Sequence, residues 1–165
     1  MIREVFSFPH PVNEVAARTV AGCVVVLIGA TILFEISILM WFIAYGFLAR
    51  VLTGPSLSPI GLLATKVVVP MMGIRPRLVP GPPKRFAQSI GLALSTASLI
   101  LHYAFGLQVA AYSLLAVVLF FAALEAVAGF CMGCFVFGRL MDLGLIPKTI
   151  CDKCNELGFS PAESG

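Results

Sequence analysis

The sequence predicts an all-α fold: a polytopic membrane protein of four transmembrane helices, arranged as two hairpins, plus a short interfacial helix. Three observations predict it. Apolar residues make up 59% of the 165-residue chain and charged residues only 12%, whereas about a quarter of the residues in soluble domains are charged. Four apolar runs, Ala16–Phe34, Ile36–Leu52, Phe86–Tyr103 and Ala110–Phe137, approach or exceed the roughly 20 residues that cross a bilayer. All eleven basic residues fall outside the two alternate connections, around Glu35 and around Gly106. They stand before or just inside the start of the first run (Arg3, Arg18), at the end of the second or between it and the third (Arg50, Lys66, Arg75, Arg77, Lys84, Arg85), or follow the fourth (Arg139, Lys148, Lys153). The positive-inside rule then puts both termini in the cytoplasm.

The elements follow in order. Residues 1–15 form a short lead, after which Asn13 is suited to cap a helix in which Glu14 and Arg18 stand one turn apart. The N-terminus lacks a basic cluster leading into an apolar core with a small-residue cleavage site, so the first helix is expected to stay. Glu35 alone separates the first two runs, which makes residues 16–52 a tight hairpin; one long, bent interfacial helix is the alternative. Gly54-Pro55-Ser56-Leu57-Ser58-Pro59 breaks the chain, with Ser58 as N-cap and Pro59 as first helical residue. A short helix follows through Val69 and ends at Pro70. Ile60, Leu63 and Val67 share one face, which suits the headgroup layer.

Residues 73–85 combine four prolines with Arg75, Arg77, Lys84 and Arg85, and read as a stiff, extended cytoplasmic loop. It is either a topology anchor on anionic lipid or a docking surface for a soluble partner or an anionic substrate. The third run places Gly91, Ser95, Ser98 and His102 on one face, with Gln88 a turn earlier. Such small residues allow close helix packing or line a polar path. His102, near the outer end, is expected to meet water or headgroups. Glu125 lies near the middle of the fourth run, where a carboxylate is expensive unless protonated, paired or facing a wet cavity. Gln88, Ser95 and Ser98 are its expected partners.

Cysteines carry the remaining chemistry. Cys131 and Cys134 form a Cys-x-x-Cys pair at the end of the fourth run, and Cys151 and Cys154 form a second in the tail. The chain thus divides into a membrane domain, residues 1–138, and a cytoplasmic Cys-x-x-Cys tail, residues 139–165. On a continuous helix the first two thiols share a face, while Glu125 lies roughly 9 Å along the axis from Cys131 and about 120° around it, too far to serve as its base. A helix C-terminus does not activate a thiol as an N-terminus does. At a reducing face, thiol exchange or metal binding is expected before a structural disulfide. Sixteen residues separate Cys134 from Cys151, a spacing that fits a four-cysteine zinc site. Zinc on Cys131, Cys134, Cys151 and Cys154 is therefore the alternative to redox chemistry, although a zinc ribbon's knuckles are turns and the first pair continues a helix. Cys23, alone in the first run, reads as packing.

Several segments resemble a bacterial family of four-helix integral membrane proteins, the domain of unknown function 4395. They are Asn13-Glu14 with Arg18, the Gly54-Pro55-x-x-Ser58-Pro59 turn, the stretch from Val79 through Pro80-Gly81-Pro82-Pro83-Lys84-Arg85 to Gln88, and Glu125 with Gly129-Phe130-Cys131-x-Gly133-Cys134. The resemblance implies a bacterial plasma (inner) membrane location. It also implies neighbours of thioredoxin-like or sulfurtransferase type, and it carries no role onto Cys151 or Cys154. The leading expectation is a membrane-embedded thiol-disulfide or sulfur-relay protein working with a soluble thioredoxin-like or rhodanese-like partner. In it Cys131, Cys134, Cys151 and Cys154 react, and Arg75, Arg77, Lys84 and Arg85 dock the partner or an anion. The alternatives are a small transporter or channel subunit for a sulfur-containing anion, and a structural subunit with a zinc-binding tail. No nucleotide, flavin, haem or nucleic-acid motif is present, the expected contacts being lipid and a homo-oligomer or larger membrane complex.

Overall fold

The computed structural model describes residues 12–54, 58–73, 78–79 and 81–145. The expectations placed on Arg75, Arg77, Cys151 and Cys154 lie outside the described residues.

Asn13 starts the first helix as the sequence implies: its Oδ1 accepts from the Val15 N–H at 3.0 Å, which satisfies one of the donors that a helix start leaves open. Helix α1 (Glu14–Leu33) turns back into α2 (Leu39–Thr53), so residues 16–52 are a hairpin. The reversal uses a left-handed backbone at Glu35, φ 54°, uncommon for a residue with a side chain. Ser58 caps the next helix from a fully buried position, its Oγ accepting the Gly61 N–H at 3.3 Å.

Helix α3 (Pro59–Leu63) runs through a π-turn (Ala64–Val68) into α4 (Val69–Met72). The expectation that Pro70 ends this helix is corrected. Its ring would clash with a carbonyl four residues back in a regular helix. Here Val69 instead donates to Ala64 O, five residues back, and the widened turn carries the chain past Pro70. Leu63 and Val67 stay exposed while Ala64 is fully buried, so one face packs and the apolar edge faces outward.

A two-residue antiparallel ladder, β1 (Val12–Asn13) with β2 (Leu78–Val79), pairs Val12 with Val79 and Asn13 with Leu78. It ties the start of α1 to the entry of α5 (Gly81–Tyr103). The predicted extended loop over residues 73–85 therefore stops short: Pro82, Pro83, Lys84 and Arg85 are helical. The first four N–H groups of a helix have no intrahelical acceptor, so the two prolines sacrifice no hydrogen bond there.

Helix α6 (Gln108–Ala128) follows a turn at Gly106, and α7 (Met132–Asp142) completes the described chain. Helix α1 packs on α6, α2 on α5, and α5 on both α6 and α7. The core comprises Val24, Ile28, Met40, Ile43, Leu115 and Val118 among others. The small face of α5 serves close packing. Gly91 lies under the Phe47 ring, and Ser98 Oγ donates to Ala111 O at 2.8 Å. Ser95 Oγ donates within its own helix to Leu92 O at 3.1 Å. At the end opposite the cysteines, the half-buried His102 ring packs against Tyr103 and Tyr112 with its Nδ1 buried.

Among the described residues, α1 and α6 are long and apolar enough to cross a membrane. Helix α2, with 15 residues, is about 22 Å long at 1.5 Å per residue, against a hydrocarbon core of about 30 Å. Large apolar side chains point outward along the bundle, Phe34, Trp41, Phe120 and Val127 among them. Such a surface is unusual for a soluble monomer and natural against lipid.

The Gly91 contact supplies a test of this packing. A Cβ there would fall 2.3 Å from the Phe47 ring. Gly91→Val should therefore cost about 1–3 kcal/mol, read as a lowered thermal unfolding midpoint in detergent.

Candidate functional site

The fourth predicted run does not continue to Phe137. Helix α6 ends at Ala128, and Gly129 takes a left-handed backbone, φ 68°, with its N–H bonded to Glu125 O. A glycine at this position is the commonest way for a helix to stop. Arg18, on α1, holds the open end: its guanidinium donates to Ala126 O at 3.3 Å and to Val127 O at 2.7 Å. These are carbonyls without an intrahelical donor, and a cation at a helix C-terminus also complements its dipole. A Cβ on Gly129 would lie 3.3 Å from Glu14 Oε1 and 3.4 Å from Arg18 Nη1, so the Asn13-Glu14-x-x-x-Arg18 segment is fitted to this break.

The break reverses the thiols' situation. Cys131 is the N-cap of α7 in extended conformation, and Cys134 lies in the helix's first turn. The pair thus starts a helix, where a thiolate is favoured, and the expectation of a C-terminal setting is corrected. Gly133, between them, lets α7 sit directly on α5: an added Cβ would come 2.5 Å from Ala87 Cα. Phe137 packs on Phe86, ring centroids 5.6 Å apart.

Glu125 pairs with Lys84, not with Gln88, Ser95 or Ser98. Lys84 Nζ lies 2.5 Å from Glu125 Oε1, and the two side chains are only 8% and 14% exposed. Lys84 is thus a buried ion-pair partner at the start of α5 rather than a docking residue of an open loop. Arg85 Nε donates to Val51 O at 3.0 Å and ties α5 to α2. Gln88 Oε1 accepts from Arg50 Nε at 2.9 Å. Arg50 was not foreseen as part of the site. It is 5% exposed, its guanidinium lies 4.6 Å above the Phe47 ring, and its Nη1 has no partner among the described residues.

Two spaces meet at Cys131. An inner cavity of about 110 Å³ reaches Gln88, Gly91, Glu125 and Cys131. An outer cleft of about 440 Å³ reaches Lys84, Phe130, Cys131, Cys134 and Phe135. Cys131 lines both, with Glu125 on the inner side and Lys84 on the outer. Both thiols are free, and Cys131 is buried while Cys134 is half-exposed. The side-chain hydrogen bond with Cys134 holds the Cys131 thiol below the ordinary thiol range. Lys84 and the Cys134 backbone act in the same direction, against burial and Glu125. That same hydrogen bond, together with burial, pushes the Cys134 thiol up. One thiol is poised to ionise and its neighbour keeps its proton. Among the described residues no group of three or more His, Cys, Asp or Glu side chains could hold a metal ion.

Fold and site together define a class: an all-helical protein with two membrane-length helices and a dithiol at the helix interruption beside a buried ion pair. The chain belongs to the family of the domain of unknown function DUF4395, whose model matches residues 12–142. The match takes in Arg18, Lys84, Glu125, Cys131 and Cys134. No curated protein and no solved structure matches the chain.

The ion pair predicts a pattern in a double-mutant cycle. Breaking a buried pair by removing one partner costs about 3–5 kcal/mol, whereas replacing both with apolar groups is close to neutral. Lys84→Met and Glu125→Leu should each lower stability in detergent by that amount, and the double variant should be more stable than either single one.

Proposed function

We propose that this protein is a multi-pass membrane thiol-disulfide relay whose Cys131/Cys134 pair exchanges with a soluble thioredoxin-like or rhodanese-like partner at the cytoplasmic face. The observation that carries the reading is the placement of a Cys-x-x-Cys pair at a helix start, next to Lys84, in an open cleft. The charge distribution supports four spans of a bacterial inner membrane with both termini inside, α2 and α5 completing the crossing begun by α1 and α6. The second pair, Cys151 and Cys154, is the shuttle that carries the same exchange to partners that do not reach the cleft directly.

Exchange needs an ionised attacking sulfur, access and a resolving group. In the reduced state the Cys131 thiolate attacks one sulfur of a partner disulfide. The partner's S–S bond breaks, a mixed disulfide forms, and the departing sulfur takes a proton. Cys134 then loses its proton, attacks Cys131 Sγ and releases the partner's second thiol. The relay pair ends oxidised and the partner reduced; the reverse sequence oxidises the partner. Attack on the outer sulfur of a partner persulfide would instead leave the persulfide on Cys131 and a thiolate on the partner.

A second reading, binding or passage of a small sulfur-containing anion, is favoured by Arg50, a buried cation with an unpartnered N–H group beside Gln88. Anion uptake lost in Arg50→Gln but retained in the cysteine variants would select it over the relay.

The relay predicts a trapped intermediate. Without its resolving thiol, Cys134→Ser should accumulate a mixed disulfide between Cys131 and oxidised thioredoxin, seen as a mass shift on non-reducing gels, and Cys131→Ser should not. Equal trapping in both variants, or none in either, would contradict it.

A further inference from the structure

We propose that the cleft over Cys131 and Cys134 receives the ring of a lipid-soluble quinone, and that the reduced pair passes its two electrons to it. The inference rests on the dithiol reading above and names the partner on the membrane side of the relay.

The cleft has the dimensions and lining of a small-molecule site. Its volume of about 440 Å³ falls within the roughly 300–1,000 Å³ usual for such sites, which are mostly apolar with a few placed polar groups. Here Pro83, Phe130 and Phe135 provide apolar wall, Lys84 and Glu14 the charged groups, and Cys131 and Cys134 the reacting atoms. Cys131 is only 9% exposed. The edge of a flat ring is thin enough to reach that sulfur between the rim side chains.

Position favours a ligand that arrives through lipid. The outer face of α6 carries exposed Phe120 and Val127, and the chain then runs directly into Phe130 and Phe135. Those two rings lie 5.9 Å apart, and the Arg139 guanidinium stands 5.3 Å from the second. An apolar surface thus leads along a membrane-length helix to the mouth of the cleft and ends at a cation. A ring on an apolar tail fits that approach. A hydrophilic oxidant does not.

The chemistry closes. The Cys131 thiolate adds to a ring carbon; a C–S bond forms, and the ring's displaced electron pair moves onto one carbonyl oxygen, which takes a proton. The Lys84–Glu125 pair is placed to deliver it. The Cys134 thiolate then attacks Cys131 Sγ. The S–S bond forms, the C–S bond breaks, and its electron pair moves onto the second oxygen, which takes the second proton. Two thiols become one disulfide, the quinone becomes a quinol, and no other reactant is consumed. Quinones are established acceptors of electrons from dithiol systems. The inner cavity, with Glu125 on its wall, provides the route for exchanging the protons.

The test uses the full chain carrying Cys151→Ser and Cys154→Ser, reconstituted in phosphatidylcholine vesicles, reduced and freed of reductant. Decylubiquinone is added, and its ultraviolet absorbance is followed against the same preparation alkylated with N-ethylmaleimide. The expected result is one quinol formed per Cys131/Cys134 pair, a rate that saturates with quinone, and the disulfide found by mass spectrometry. Lys84→Met, and with it the better-folded Lys84→Met/Glu125→Leu, should each slow the reaction by at least about tenfold. Quinone reduction no faster than in the alkylated blank, with the pair still oxidised by oxidised thioredoxin, would overturn this inference and leave the relay standing. A pair oxidised by neither, both in this protein and in the one that keeps Cys151 and Cys154, would overturn both. A rate that rises linearly with quinone and ignores Lys84→Met would show unselective thiol chemistry and overturn the site.

Discussion

The Lys84–Glu125 ion pair sets the terms for the rest of the structure. Two charges removed from water cost several kcal/mol each unless they meet in good geometry. Meeting it fixes the first turn of α5 against the last turns of α6. Once those ends are level, the serine and glycine face of α5 settles against its neighbours, and Gly133 meets Ala87 closely enough to seat α7. The pair also leaves a hydrogen-bonded cation and carboxylate beside Cys131, Lys84 on the wall of the outer cleft and Glu125 on that of the inner cavity. An architectural necessity thereby becomes the electrostatic setting of a thiol.

A second constraint acts with the first. A helix that ran on through Phe137 would bury its cysteines with no donor nearby and carry Glu125 away from them. Stopping at Ala128 costs unsatisfied carbonyls, which Arg18 covers from α1. The extended Cys131 then opens a new helix as its N-cap, with Cys134 in the first turn. Arg18 thus caps the helix that ends just before Cys131. Arg50 adds a second buried cation on the other flank, through Gln88.

Much of this is legible in the sequence, and the rest fails for identifiable reasons. The hairpin over α1 and α2, the Asn13 and Ser58 caps and the packing face of α5 follow from periodicity and local side-chain chemistry. The break at Gly129 was signalled twice: the apolar run from Ala110 to Phe137 is longer than a crossing requires, and a glycine sits where a helix of ordinary length would stop. Reading the whole run as a single helix hid both signals. Pro82 and Pro83 made Lys84 look like part of a loop, although prolines in a helix's first turn are unobjectionable. With Lys84 assigned to a loop, Glu125 had no cation to seek. Arg18 was read for its neighbour one turn away, because a cap donated across more than a hundred residues leaves no local pattern.

The most direct test of the account is the ionisation of Cys131 itself. It can be followed through the pH dependence of its alkylation rate in the Cys151→Ser/Cys154→Ser protein, with the modified residue identified by mass spectrometry. A cation beside the sulfur and a proton donated by Cys134 both favour the thiolate, so Cys131 should half-ionise below the ordinary thiol value of about 8.5. Lys84→Met removes the cation and should move that midpoint upward, with Cys134 remaining the slower thiol throughout. A Cys131 midpoint at or above the ordinary value, unmoved by Lys84→Met, would mean that the thiols lie in a continuous helix away from the ion pair, and the account would fail.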